Sequence, residues 1–88
     1  MSESIVWGCD VSKDWIDVCA IGMDGNPGSA TRIANDSASI GMWLERLPAG
    51  CAIGMEATGR MHEFLAQSSA AAGHQVYVIN PRWIARYR

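Results

Sequence analysis

Two short apolar runs, each closed by a carboxylate, constrain this chain more than any other feature. Ile5-Val6-Trp7-Gly8-Cys9 ends at Asp10, and Cys51-Ala52-Ile53-Gly54-Met55 ends at Glu56. Runs of this length and composition read as buried strands, and the first is apolar at so many positions that it predicts a central strand covered on both faces. A carboxylate beside such a strand is costly to bury unpaired. Both acids must therefore emerge at a sheet edge, where a cation, a hydrogen-bond donor or water can meet them.

The remaining elements follow from punctuation and period. Val11-Ser12-Lys13-Asp14 is a polar break short enough for a hairpin, so the β-rich run Trp15 to Ile21 should pair antiparallel with the first strand. The turn formers between Met23 and Gly28 introduce a short, polar third strand, Ser29 to Ile33, of edge character. Asn35, Asp36 or Ser37 can cap a helix whose Ile40, Trp43, Leu44 and Leu47 recur at helical spacing, and Pro48 and Gly50 stop it.

Cys51 to Met55 is the fourth strand. Ala57-Thr58-Gly59 leads into a second helix with an expected core stripe of Met61, Phe64, Leu65, Ser68 and Ala72, and with Gly73 as its left-handed terminator. Gln75 to Ile79 is the fifth strand, and Asn80-Pro81 reads as the start of a third helix near residue 82. The order β-β-β-α-β-α-β-(α) predicts an antiparallel meander followed by parallel crossover strands, giving one mixed five-stranded α/β sheet with helices on its faces.

Eighty-eight residues allow one domain, 49% apolar and 18% charged, a globular composition. No apolar run approaches the ~20 residues of a membrane span, and Met-Ser-Glu-Ser lacks the basic start of a secretory signal. A cytoplasmic location without membrane contact is the expectation. Cys9, Cys19 and Cys51 fall in strand-like runs without the spacing of zinc or redox sites, so they read as small buried hydrophobes. The net charge of −2 argues against a dedicated nucleic-acid binder. The distribution is nevertheless uneven: residues 1–44 hold six acids and two bases, residues 45–88 three acids and five bases. The segment Arg82 to Arg88, with three arginines and two aromatics, could track a phosphate backbone through Arg82 and Arg86, or begin an ordinary amphipathic helix.

With the fourth strand parallel to the first, Asp10 and Glu56 become neighbours at strand tips about 5 Å apart. Two carboxylates that close repel unless a cation intervenes, and magnesium or manganese, which take hard oxygen ligands, would hold both ionised. Such a pair suits metal-dependent phosphoryl transfer, although a complete two-metal site needs further acids.

Three segments carry a resemblance: Gly8-Cys9-Asp10-Val11-Ser12-Lys13-Asp14, Met55-Glu56-Ala57-Thr58-Gly59, and Ala72-Gly73-His74 through Val78-Ile79-Asn80-Pro81-Arg82. In this order they resemble the amino-terminal domain of the DEDD transposases of bacterial insertion sequences, the insertion-sequence-110 group that also includes pilin-gene invertases. The resemblance covers nearly the whole chain. It implies a RuvC-like, ribonuclease H-type fold and a metal-dependent DNA recombinase, with Asp10 and Glu56 matching the first and second catalytic, metal-binding acids. It also implies two further aspartates after the Asn-Pro-Arg segment, a separate serine-bearing transposase domain and, in some members, a structured guide RNA. On that basis residues 1–88 are expected to be a single RuvC-like domain, incomplete at its carboxyl end and inactive alone; a truncated sheet with uncovered apolar surface should in turn self-associate into a homo-oligomer.

The other candidates each have an ordinary alternative. Lys13 could touch a phosphate or be a solvated hairpin lysine. Thr58 and Gly59 could present helix-start amides to a phosphate, with Arg60 assisting, or simply cap a helix and make a turn. Asp14 is expected to close the hairpin and Asp17 to face solvent. His62 and His74 read as surface residues, and Trp7 and Trp43 as core. Two different readings of the whole stay open: a lobe of an actin or sugar-kinase type ATPase, disfavoured because Val11-Ser12-Lys13-Asp14 lacks a phosphate-binding glycine, and a non-catalytic interaction module.

Overall fold

A computed structural model describes residues 6–22, 26–57 and 59–79. The hairpin strands β1 (Val6–Val11) and β2 (Trp15–Ile21) are antiparallel, and β3 (Pro27–Ala34) continues the meander. Helix α1 (Ser37–Glu45) leads to β4 (Ala52–Glu56), and α2 (Glu63–Ala71) to β5 (Gln75–Ile79). The sheet order is β3-β2-β1-β4-β5, with β4 parallel to both β1 and β5. This mixed sheet has the meander-plus-crossover arrangement expected of a ribonuclease H-like fold. The expected third helix lies outside the described residues.

Strand alternation sorts the side chains into two layers. Cys9 and Val11 of β1, Ile16 and Val18 of β2, and Ile53 and Met55 of β4 are buried together with Ile40 and Trp43 of α1 and Leu65 of α2. Ile16, Ile40, Ile53 and Leu65 are fully excluded from solvent, each contributing roughly 1.5–3 kcal/mol of transfer free energy. Trp7 packs edge-on against Trp43 at 5.7 Å between ring centroids, which supports the reading of both as core. Both helices thus contribute to one core on one face of the sheet. The expectation of a first strand covered on both faces is corrected: Val6 and Asp10 are exposed, as are Tyr77 and Ile79 on the same side.

Helix α1 starts where the side chain of Asp36 accepts from the Ser39 amide at 2.7 Å, which selects Asp36 among the three candidate caps. It ends at Glu45, before Pro48. Helix α2 begins only at Glu63, after a turn in which Gly59 takes φ +56°, and its N-cap position, His62, makes no side-chain cap. Its inward residues are Leu65 and Ser69, whereas Phe64 is 45% exposed and Met61 also faces outward, so the expected stripe is rotated. Gly73 has φ +92° and terminates the helix as expected. Strand β3 is longer than expected, reaching from Pro27 to Ala34.

His74 is corrected from surface to core. It is 8% exposed, and its Nδ1 accepts from the Cys51 amide at 3.0 Å. This bond, with Gln75 N–H donating to Cys51 O at 2.9 Å, fastens the start of β5 to the start of β4. All three cysteines are unpaired in disulfides, with Cys9 and Cys51 buried and Cys19 partly so; burial pushes the Cys9 thiol up to about 12.

Candidate catalytic row on the open sheet face

The open face is organised by register. Cys9 of β1 pairs with Met55 of β4, so Asp10 and Glu56 stand one step further along parallel neighbours, on the same face. Across the hairpin Asp10 faces Asp17, and Asp17 in turn faces Arg32 of β3. Glu56 faces Ile79 of β5. One transverse row therefore reads Arg32, Asp17, Asp10, Glu56, Ile79, a residue from each strand.

Asp10, Glu56 and Asp17 line one open depression of about 480 Å³ with Gly8, Cys9, Cys19 and Ala30. The floor behind the two acids is bare backbone, because Gly8 pairs with Gly54 between β1 and β4. A second depression, of about 540 Å³, continues along the same face past Val6, Ile21, Tyr77 and Ile79, and it shares Gly8 and Glu56 with the first.

Like charges directly opposite on neighbouring strands destabilise a sheet, and this row sets three acids side by side. Its compensation comes from Arg32, whose Nε and Nη2 donate to the two carboxylate oxygens of Asp17 at 2.9 and 3.2 Å. The fork holds the Asp17 carboxyl below its usual range, and Asp17 in return holds the Arg32 guanidinium above its own. Asp17 faces outward as expected, and on that open face it is also engaged in the row by Arg32. The signal for it was available: Asp17 sits on the outward parity of β2, opposite Asp10 in a hairpin.

Asn35 organises the rim. Its side-chain amide donates to Ser12 O at 2.9 Å and to Met61 O at 3.2 Å, while its backbone amide donates to Asp14 O at 2.9 Å. Asn35 therefore ties the turn that follows Asp10 to the loop that follows Glu56. The sequence offered it only as a possible cap.

The other candidates do not join the row as donors. Lys13 is exposed on the β1–β2 turn. Arg60 pairs with Glu63 at 3.4 Å, three residues on and largely exposed. The helix start expected at Thr58 and Gly59 lies instead at Glu63, so Gly59 belongs to a turn and offers no helix-start amide. Thr58, Arg82 and Arg86 lie outside the described residues. Among the described residues, no group of three or more His, Cys, Asp or Glu side chains is arranged to hold a metal ion, and no helix is long and apolar enough to cross a membrane.

No curated protein matches the sequence. Residues 7–88 match the transposase family of the DEDD, insertion-sequence-110 type, a span that contains every described strand and helix from Trp7 onward and both strand-tip acids. The chain belongs to the DEDD transposases of the insertion-sequence-110 group.

Proposed function

We propose that this chain serves DNA strand cleavage and exchange in insertion-sequence transposition, with Asp10 and Glu56 as the acids that hold a divalent metal. The observation that carries the reading is their register: adjacent parallel strands place both carboxylates on one face, in one depression, over a glycine floor.

The donor set fits magnesium or manganese. Carboxylate oxygens are hard ligands, and magnesium is commonly held by one or two carboxylates while keeping several waters. Of the soft donors nearby, Cys9 is turned into the core on the opposite face, and Cys19, which lines the depression, gives its thiol to Gly28 O at 3.0 Å. When bound, such an ion polarises a phosphoryl oxygen and activates an attacking hydroxyl or water. The chain's own part is to orient the ion through Asp10 and Glu56 and to keep Asp17 out of competition through Arg32. Two carboxylates fall short of the ligands that a two-metal site needs, so the pair is proposed to hold a single ion.

Manganese titration followed by electron paramagnetic resonance tests the reading. Asp10→Asn and Glu56→Gln should each abolish the saturable binding seen in the parent chain. Binding unchanged by both substitutions would overturn the assignment and favour a non-catalytic interaction module.

A further inference from the structure

Arg32 and Trp15 form a feature that the acid pair does not use. Trp15 stands on the outward parity of β2, two residues before Asp17, with 48% of its surface exposed. The Arg32 guanidinium carbon lies 5.7 Å from the centre of its ring, within cation–π range. Asp17 grips the same guanidinium by two of its five N–H donors. Arg32 is thus fixed from two sides, yet its side chain remains 60% exposed. Strand spacing sets Arg32 about 10 Å from the strand of Asp10, in the same transverse row.

A surface salt bridge alone would need neither the aromatic neighbour nor the placement. An exposed pair of this kind contributes little to stability, and a half-exposed tryptophan on an open face is costly to leave in water. An immobilised arginine with outward donors, beside an accessible aromatic face, is the combination that binds a nucleic-acid strand: the N–H donors that Asp17 does not engage take a phosphate and the ring stacks a base. Phosphate is also the chemistry for which the neighbouring acids hold a metal.

We infer that Trp15 and Arg32 form a docking platform for a single DNA strand crossing the open face along the row toward Asp10 and Glu56, with Arg32 on a phosphate and Trp15 stacked on a base. This rests on the nuclease reading above for the direction of the strand, but its readout is DNA affinity rather than metal binding. Neither residue touches the proposed metal.

The test uses the full 88-residue chain and a fluorescein-labelled 20-nucleotide single-stranded DNA in magnesium, read by anisotropy across a salt series. Arg32→Ala should weaken binding about tenfold and lower the slope of log K against log salt by about 0.7, the loss of one phosphate contact. Arg32→Lys should retain the slope while losing part of the affinity, because a point charge replaces the fork. Trp15→Leu should weaken binding about tenfold with the slope unchanged and remove most of the DNA-induced quenching of tryptophan emission. Arg46→Ala, at the end of α1 on the covered side, serves as the control and should change neither.

Circular dichroism verifies folding of each variant, and Arg32→Lys keeps the test decisive if Arg32→Ala fails to fold. Equal affinity and slope for parent, Arg32→Ala and Trp15→Leu, or no DNA binding by the parent, would overturn the platform. Because manganese binding through Asp10 is measured separately, that outcome would leave the metal assignment standing.

Discussion

The tie made by Asn35 is the most economical place to disturb the site without touching its acids. Asn35→Ala deletes two hydrogen bonds, to Ser12 O and Met61 O, and leaves the backbone bond to Asp14 intact. Both acceptors are solvent-accessible and can turn to water, so each bond belongs at the lower end of the net range, about 0.5 kcal/mol, giving about 1 kcal/mol for the pair. Asn35→Asp loses the same bonds and places a carboxylate against two carbonyl oxygens, adding about 1 kcal/mol more by the same scale. For a domain of this size, 1 kcal/mol corresponds to roughly 4–8 °C. The melting temperature should fall by about 5 °C for Asn35→Ala and about 10 °C for Asn35→Asp. Hydrogen exchange supplies the local readout: amides in 12–14 and 59–63 should exchange faster in both variants, while those of β5 should not change. Parental stability in both variants, or Asn35→Asp as stable as Asn35→Ala, would refute the claim that the side-chain amide joins the two loops.

Two further outcomes follow from the covered side and the helix start. Replacing His74 with alanine leaves the buried Cys51 amide without an acceptor, which should cost about 1–3 kcal/mol in urea denaturation, and His74→Asn should recover part of it because its side-chain oxygen can accept. The Asp36 carboxyl is held below its usual value, chiefly by the Ser39 amide, and a group depressed in this way stabilises the fold above its unfolded value near 3.9 and loses that contribution as pH falls from about 4 through the folded value. Asp36→Asn, which can still cap, should therefore leave stability at pH 7 nearly unchanged and flatten its decline below pH 4, as seen in thermal melts across pH.

The strand and helix order was legible because each element carries its own period and its own stop signals, from the turn formers after Ile21 to Pro48 and Gly73. The open face was not. Counting glycine as apolar made Val6-Trp7-Gly8-Cys9 look uniformly buried, whereas the real alternation sets Val6, Gly8 and Asp10 outward against Trp7, Cys9 and Val11. In α2 the inward positions are Leu65 and Ser69, and a lone serine gives no hydrophobic signal, so the stripe drawn through Met61 and Phe64 rotated away from the core. The pairing of strand-tip acids needed only local pattern plus one parallel neighbour. Asp17 was within reach of hairpin parity alone, whereas Arg32 and Asn35 needed the register of β3 and loop contacts, which depend on distant segments and leave no trace in spacing along the chain.

Parity also separates function from folding in this molecule. Every residue of the transverse row projects from the face opposite the core formed by Ile16, Ile40, Ile53 and Leu65. The row adds no apolar burial there, and acids side by side on neighbouring strands oppose sheet pairing. The proposed cation would offset that repulsion. For the same reason, Asp10→Asn removes repulsion without opening a cavity, and the variant should fold at least as well as the parent. A loss of metal binding in it is then a statement about the acid itself, and a loss of fold would contradict the placement of the row on the open face.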